Sequence, residues 1–367
     1  MEKTVKPIVL FIIPSFRRGG VERVTLNILN SLDLQKFDVT ILICTGKNNE
    51  MLSQLHSEVQ IIEVNKPDVR RALPTIFKLI KKKRPDIVFT SFNHLSLPIL
   101  LYKQLTKLNY ISIIRMNTLP SNRLTSNFRG RFYNKIFSKV IKTADYIIGQ
   151  SDEMSKDIMS FYNLNKSKVV TIRNLVDIQG IKKQAVAEKV ENIKEDQCYT
   201  LVSIGSLGKV KGYDLLIEAF YKLVKQGVTN LRLFIIGDNR ESNEDYKKVL
   251  TDLIVEFKMS EYIRLLGFKS NPYPYLNQAD AFVLSSRKEG FPNVVLEALA
   301  LNKPCLVTDC VDFSGIVENG NNGLIVERGS VSSLMRGLLD IQEIKLREDF
   351  TYINFDYNEW FNKLLIK

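Results

Sequence analysis

Short, apolar-rich stretches punctuate this chain. The first is Ile-Val-Leu-Phe-Ile-Ile at 8–13, and others recur at 39–45, 59–64, 86–91, 110–115, 144–149 and 168–172. Each reads as a candidate strand of a parallel sheet. Between them the apolar spacing changes to that of a helix face, clearest at 21–32, 70–83, 94–107, 128–142 and 151–162. Strand alternating with helix predicts a doubly wound α/β domain over residues 1–175.

The rhythm lapses in the charged stretch 173–197, and a linker is expected at 176–197. A second alternation then begins: strand 199–204, helix 213–226, strand 231–236, helix 243–258, strand 262–266 and a short Pro-containing helix near 272–278. It closes with strand 279–286, a helix from Pro292 to about Leu301 and strand 304–309, giving a second α/β domain over 198–345. Pro292 suits a first helical position and Asn302 a left-handed cap. The aromatic stripe of the last segment predicts a helix within 346–367 that crosses back to the first domain. The fold class expected is α/β, with two Rossmann-like doubly wound domains facing a central cleft.

A length of 367 residues agrees with two cores rather than one. The amino-terminal apolar run is too short for a signal or a membrane span, and no run of eighteen apolar residues follows. Cys44, Cys198, Cys305 and Cys310 form no Cys-x-x-Cys pair, and with only two histidines a metal-ligand cluster is not expected. Buried thiols in a cytoplasmic protein are the expectation. The formal charge of +12 is unevenly placed. Residues 1–190 carry 31 Lys and Arg against 15 Asp and Glu, and residues 191–367 carry 21 against 25. The first half should therefore face something anionic: nucleic acid, a membrane surface or a phosphate-bearing substrate.

Three stretches carry chemistry. In 199–220 a strand leads through Gly205, Gly208 and Gly212 into a helix, with Ser206, Lys209 and Lys211 in the loop. Glycines let backbone approach a ligand, and the helix amino terminus with two lysines suits a diphosphate; a solvated turn is the plain alternative. A comparable turn, Gly19-Gly20, follows the first strand, and the two would face each other across the cleft. In "EGFPNVVLEAL" Glu289 and Glu297 stand eight positions apart. Glu297 lies in an apolar helix, and a carboxylate there needs a cationic partner or a ligand's hydroxyls. No Asp-x-Asp occurs, so lysines and helix dipoles rather than a metal would neutralise a leaving diphosphate.

Gly19-Gly20-x-Glu22-Arg23, the Gly205–Gly212 loop with Lys211, and Glu289-Gly290-Phe291-Pro292 followed by Glu297 occur in that order. Together they resemble the family 4 ("group 1") glycosyltransferases of the GT-B fold, with "ENGNNGLIVERG" at 318–329 in support. The resemblance implies a retaining, metal-independent transfer from a nucleotide-sugar. That donor would be a substrate, probed first as a uridine diphosphate sugar, and no cofactor is implied. By position, Glu289 would bind donor-sugar hydroxyls and Glu297 the ribose diol. Gly290, Phe291, Pro292, Asn293 and Val294 would line the sugar and phosphates. Lys211, Lys209, Ser206, Gly19 and Gly20 would surround the diphosphate, with Gly267 and Phe268 near the base. Glu289 and Lys211 are the catalytic candidates. Ser206 stands where the family usually has arginine, and Asn117 where many relatives have histidine. His94, Arg115 and Asn117 are read on the acceptor side; for His94 an ordinary helix-start residue is the alternative.

Over 123–142, Phe128, Phe132, Ile136 and Val140 recur at helical spacing among Arg129, Arg131, Lys135 and Lys139. Such a helix can lie on an anionic membrane, or turn its apolar stripe to a core and its basic face to water. With the resemblance, the expectation is a peripheral enzyme on the inner face of the cell membrane. It would extend a lipid-diphosphate-linked sugar for a surface polysaccharide such as O-antigen or capsule, with no nucleic-acid partner. A nucleotide-sugar epimerase of the same fold and a non-catalytic membrane- or nucleic-acid-binding module are the alternatives.

Overall fold

A computed structural model describes residues 6–17, 19–46, 49–123, 128–239, 245–346 and 350–366, apart from the side chains of 122, 123, 128 and 129. The chain forms two units, Met1–Leu175 with Asn354–Lys367, and Val176–Ile353.

In the first unit the strands are β1 (Ile8–Ile13), β2 (Asp38–Ile43), β3 (Gln60–Glu63), β4 (Ile87–Thr90), β5 (Ile111–Arg115), β6 (Tyr146–Gly149) and β7 (Val169–Thr171). The helices between them are α1 (Gly20–Ser31), α2 (Val69–Lys83), α3 (Asn93–Thr106), α4 (Phe128–Val140) and α5 (Asp152–Tyr162). The sheet order is β3-β2-β1-β4-β5-β6-β7, parallel throughout. Its central strands are almost wholly apolar because helices cover both faces; Phe11 of β1 stacks on Phe89 of β4 at 4.8 Å.

The second unit opens with α6 (Ile178–Ala185) and continues β8 (Tyr199–Ile204), α7 (Tyr213–Lys225), β9 (Leu231–Ile236), α8 (Tyr246–Glu256), β10 (Ile263–Gly267) and α9 (Tyr273–Gln278). β11 (Ala281–Leu284), α10 (Asn293–Ala300), β12 (Cys305–Thr308), β13 (Gly323–Val326) and α11 (Val331–Asp340) complete it. Its sheet runs β10-β9-β8-β11-β12-β13, again parallel. The segment 176–197 is more than a linker. Ile181 and Ala185 of α6, with Ile193, are buried in this unit's core. With Val176 these make four anchors, and spread among charged residues they leave a periodicity too sparse to read.

The last helix, α12 (Tyr357–Leu365), belongs to the first unit. Tyr357 and Phe361 are buried there, Phe361 meets Phe37 edge-on at 6.1 Å, and Asn358 accepts from the Asp33 amide at 2.6 Å.

Helix α4 turns a different stripe inward from the one its spacing suggests. Phe137 and Val140 are buried and Tyr133 and Ile136 pack beside them, whereas Phe132 is 58% exposed. The inward face is wide enough for all four, so Phe132 falls outside it, among exposed Arg131, Lys135 and Lys139. The side chains of Phe128 and Arg129 lie outside the described residues.

Candidate functional site

Both sheets have a switch point, where the chain's progression across the sheet reverses: between β1 and β4 in the first, between β8 and β11 in the second. Loops leaving the carboxyl ends of such neighbours splay apart and leave a crevice for ligands. In the second unit those loops are 205–212 and 285–292, the two stretches singled out by their glycines and glutamate.

The two loops are tied together closely. Lys211 Nζ lies 2.6 Å from Glu289 Oε1, with the side chains only 18% and 14% exposed. Ser286, itself buried, donates to the same carboxylate oxygen at 2.7 Å. Ser285 Oγ donates to the Lys211 carbonyl at 2.9 Å, and the Arg287 amide to the Val210 carbonyl at 2.7 Å. Arg287 Nη1 reaches the Lys209 carbonyl and Asp214 Oδ1, both at 2.7 Å, while Nη2 takes Asp214 Oδ2 at 2.7 Å. Gly212 is required here. Its φ is +66°, and an added Cβ would sit 2.1 Å from the Ser285 carbonyl oxygen.

The electrostatics follow from this packing. Burial pushes Asp214 up, but hydrogen bonds and charge from Arg287 hold it below the usual carboxylate range. Burial raises Tyr213, with the charge of Glu289 adding to it. It also pushes the Cys310 thiol up to about 12, with Glu289 raising it and Lys211 lowering it. Cys310 thus stays a neutral thiol beside the pair.

Around this pair, Ser206 and Gly290 are half-buried and Lys209 is exposed. Pro292 is the cap residue of α10 rather than its first helical residue, at φ −82° and ψ 94°. This puts Asn293 and Val294 in the first turn, both half-buried, and Phe291 packs against the core. Glu297 is half-buried at the middle of α10. Gly267, at φ +69°, closes β10, and Phe268 after it is 57% exposed. Sequence reasoning did not find Arg287, Asp214, Ser285 or Ser286. The partners of Arg287, Asp214 and Ser285 are 73 or more positions away and meet through the adjacency of β8 and β11, whereas Ser286 reaches Glu289 within its own loop.

In the first unit Gly19 caps α1 in extended conformation, and Glu22 folds against it: a Cβ on Gly19 would meet Glu22 Oε2 at 2.3 Å. Gly20 begins the helix. His94 lies exposed in the first turn of α3, its ring 5.8 Å from that of Phe92. Asn117 donates to the Ser91 carbonyl and accepts from Gln150 Nε2 at 3.1 Å. Arg115, expected on the acceptor side, is 1% exposed and its Nη2 donates to Asn174 Oδ1. It closes β5 and is buried there, with Asn174 as its partner. Among the described residues no group of three or more His, Cys, Asp or Glu stands ready to hold a metal ion, and no helix is long and apolar enough to cross a membrane.

Two family models match the chain: "Glycosyltransferase Family 4" over residues 18–179 and "Glycosyl transferases group 1" over 184–354. An uncharacterised glycosyltransferase of Methanocaldococcus jannaschii is 31% identical over 249 residues, 64% of this chain and 58% of that protein's length. A Campylobacter jejuni protein is 29% identical over 356 residues, 92% of this chain and 91% of its own. It is named "N-acetylgalactosamine-N,N'-diacetylbacillosaminyl-diphospho-undecaprenol 4-alpha-N-acetylgalactosaminyltransferase". Among solved structures, Anabaena HepE in complex with UDP superposes with a TM-score of 0.73 at 14% identity, covering 92% of this chain and 90% of that one.

Proposed function

The chain belongs to the group 1 glycosyltransferases, with a family 4 amino-terminal half and the GT-B fold, and from that premise we propose a retaining, metal-independent transfer of a sugar from a UDP-sugar to a lipid-diphosphate-linked glycan. The product would enter a cell-surface polysaccharide. The observation that carries this reading is the Lys211–Glu289 pair at the second unit's switch point, between the amino termini of α7 and α10.

The chemistry assigns each group a part. When the bond between the anomeric carbon and the diphosphate breaks, negative charge grows on the phosphate oxygen. Lys211, the exposed Lys209 and the helix amino termini are the cations and dipoles available to meet it. Glu289, fixed by Lys211 and Ser286, offers its carboxylate to sugar hydroxyls. Glu297 would take the ribose diol, which gives a half-buried carboxylate in an apolar helix a reason to be there. With retention, the acceptor oxygen arrives on the face the diphosphate leaves, and the departing phosphate oxygen can take the acceptor's proton. The lipid-linked acceptor is proposed from the Campylobacter relative's name. The exposed basic face of α4 would hold the first unit to anionic membrane, on the cytoplasmic side where the donor is. Membership of the family sets aside the epimerase and the non-catalytic module.

A panel of UDP- and GDP-sugars tests the reading, first for hydrolysis and then with undecaprenyl-diphosphate-linked acceptors. We expect turnover with a UDP-sugar, undiminished by EDTA, and an α-linked product from an α-linked donor by proton NMR. An inverted anomer, or activity lost to EDTA and restored by Mn²⁺, would overturn retention or metal independence respectively.

A further inference from the structure

Three consecutive carbonyls of the loop carrying Lys211 are each tied to the end of β11. The Lys209 oxygen accepts from the Arg287 guanidinium, the Val210 oxygen from the Arg287 amide, and the Lys211 oxygen from Ser285 Oγ. The negative ends of these peptide dipoles are thereby occupied on the β11 side, where they cannot oppose an anion bound near Lys211. Arg287 supplies two of the three contacts, and its remaining reach goes to both oxygens of Asp214 in the first turn of α7. A guanidinium committed to a bidentate carboxylate and a carbonyl has its charge already compensated. Its geometry differs from that of a residue waiting for phosphate.

We propose that Arg287 is a positioning residue for the transfer: with Asp214 it clamps the 209–212 loop so that Lys211 stands where the leaving diphosphate develops charge. The proposal rests on the reading of Lys211 given above, and it adds a pair of residues that no motif in the sequence pointed to. The clamp needs the planar fork. Lysine at 287 keeps the charge but cannot bridge the Lys209 carbonyl and both carboxylate oxygens together.

The test compares Arg287→Lys, Asp214→Asn, the double variant and Lys211→Ala. It reads kcat for UDP release from whichever of UDP-glucose, UDP-galactose and their N-acetyl forms turns over fastest, together with UDP affinity by calorimetry. A displacement of about 1 Å in a catalytic group typically lowers turnover on the order of a hundredfold. We therefore expect Arg287→Lys to lose roughly that in kcat while UDP affinity changes by about twofold or less. The double variant should be no worse than the poorer single one, because both changes release one clamp. Thermal melting checks that each variant folds, and for Arg287→Ala added guanidinium ion should restore kcat where ammonium does not. If Lys211→Ala loses turnover but Arg287→Lys does not, the clamp is wrong and the reading of Lys211 stands. If Arg287→Lys instead weakens UDP binding with kcat intact, Arg287 is a direct phosphate ligand and the proposal fails. Full turnover in Lys211→Ala would overturn the reading itself, and the proposal with it.

Discussion

The two glutamates of the 289–297 stretch sit in opposite circumstances. Glu289 is pinned by Lys211 and Ser286 before any ligand arrives, so its carboxylate is oriented in advance and little ordering remains to be done on binding. Glu297 is half-buried in a helix whose other residues after the first turn are buried and apolar. Its role can be separated from that of its neighbour by affinity alone. Hydrogen bonds to a charged carboxylate contribute roughly 1.5–3 kcal/mol, so Glu297→Ala should weaken UDP binding about ten- to a hundredfold. Titration calorimetry checks it; equal affinity in the variant removes Glu297 from the ribose site. Glu289, Lys211 and the glycines were legible in the sequence because their order and spacing survive without any knowledge of contacts. Arg287 and Asp214 were not, since they are 73 positions apart and meet only through the order of the strands. Arg115 was legible as a charged residue at a strand's carboxyl end, but neither its burial nor its Asn174 partner could be read from the sequence.

At the level of elements, the central strands were readable because residues buried on both faces leave apolar runs, and every strand of the first unit, the largely exposed β3 included, overlaps a stretch where a strand was expected. Elements with few buried side chains were harder. Helix α6 buries only Ile181 and Ala185 with Ile178 packed beside them, and β13 is a four-residue strand whose upstream neighbours are glycine and asparagine. Helix α4 was found with its stripe left open between core and membrane; Ile136 and Val140 pack inward while Phe132 stays exposed, and that bears on the membrane proposal. Phe132 with Arg131, Lys135 and Lys139 makes one exposed surface of an aromatic ring among cations, a composition suited to an anionic interface. Each basic residue near such a surface contributes roughly 1 kcal/mol. Changing Arg131, Lys135 and Lys139 to glutamine should therefore weaken binding to phosphatidylglycerol vesicles by up to about a hundredfold, with donor hydrolysis unchanged. Sedimentation at two salt concentrations measures it, and the wild-type protein should itself release at high salt. A triple variant that pellets like wild type would make this surface a solvated face only.

Across the whole molecule, the chain leaves its first unit at Leu175, builds the second, and returns at Asn354. The returning helix α12 is part of the first unit's core: Phe361 is fully buried against Phe37, and Tyr357 lies edge-on to Phe89 of the central sheet. The aromatic stripe that predicted this helix is legible because six aromatic residues fall within its last eighteen positions, more than a solvated helix would carry. The chain's one tryptophan, Trp360, sits in the same cluster, edge-on to Tyr146 at 5.7 Å. Tryptophan fluorescence therefore reports the unfolding of the first unit alone, while nucleotide binding reports the second. Removing a buried phenylalanine side chain typically costs about 3–5 kcal/mol. Phe361→Ala should accordingly lower the urea midpoint of the fluorescence transition by more than 1 M, taking an m-value of about 1–3 kcal/mol per molar for a domain of this kind. UDP affinity measured without denaturant should stay at the wild-type value, because Lys209, Lys211 and Glu297, proposed to hold the diphosphate and the ribose, belong to Val176–Ile353, and a first unit that is still folded still presents Gly19 and Gly20. An unmoved fluorescence midpoint would show that α12 adds little to the first unit. A loss of UDP binding matching the loss of stability would show that the second unit's site depends on the first unit's fold.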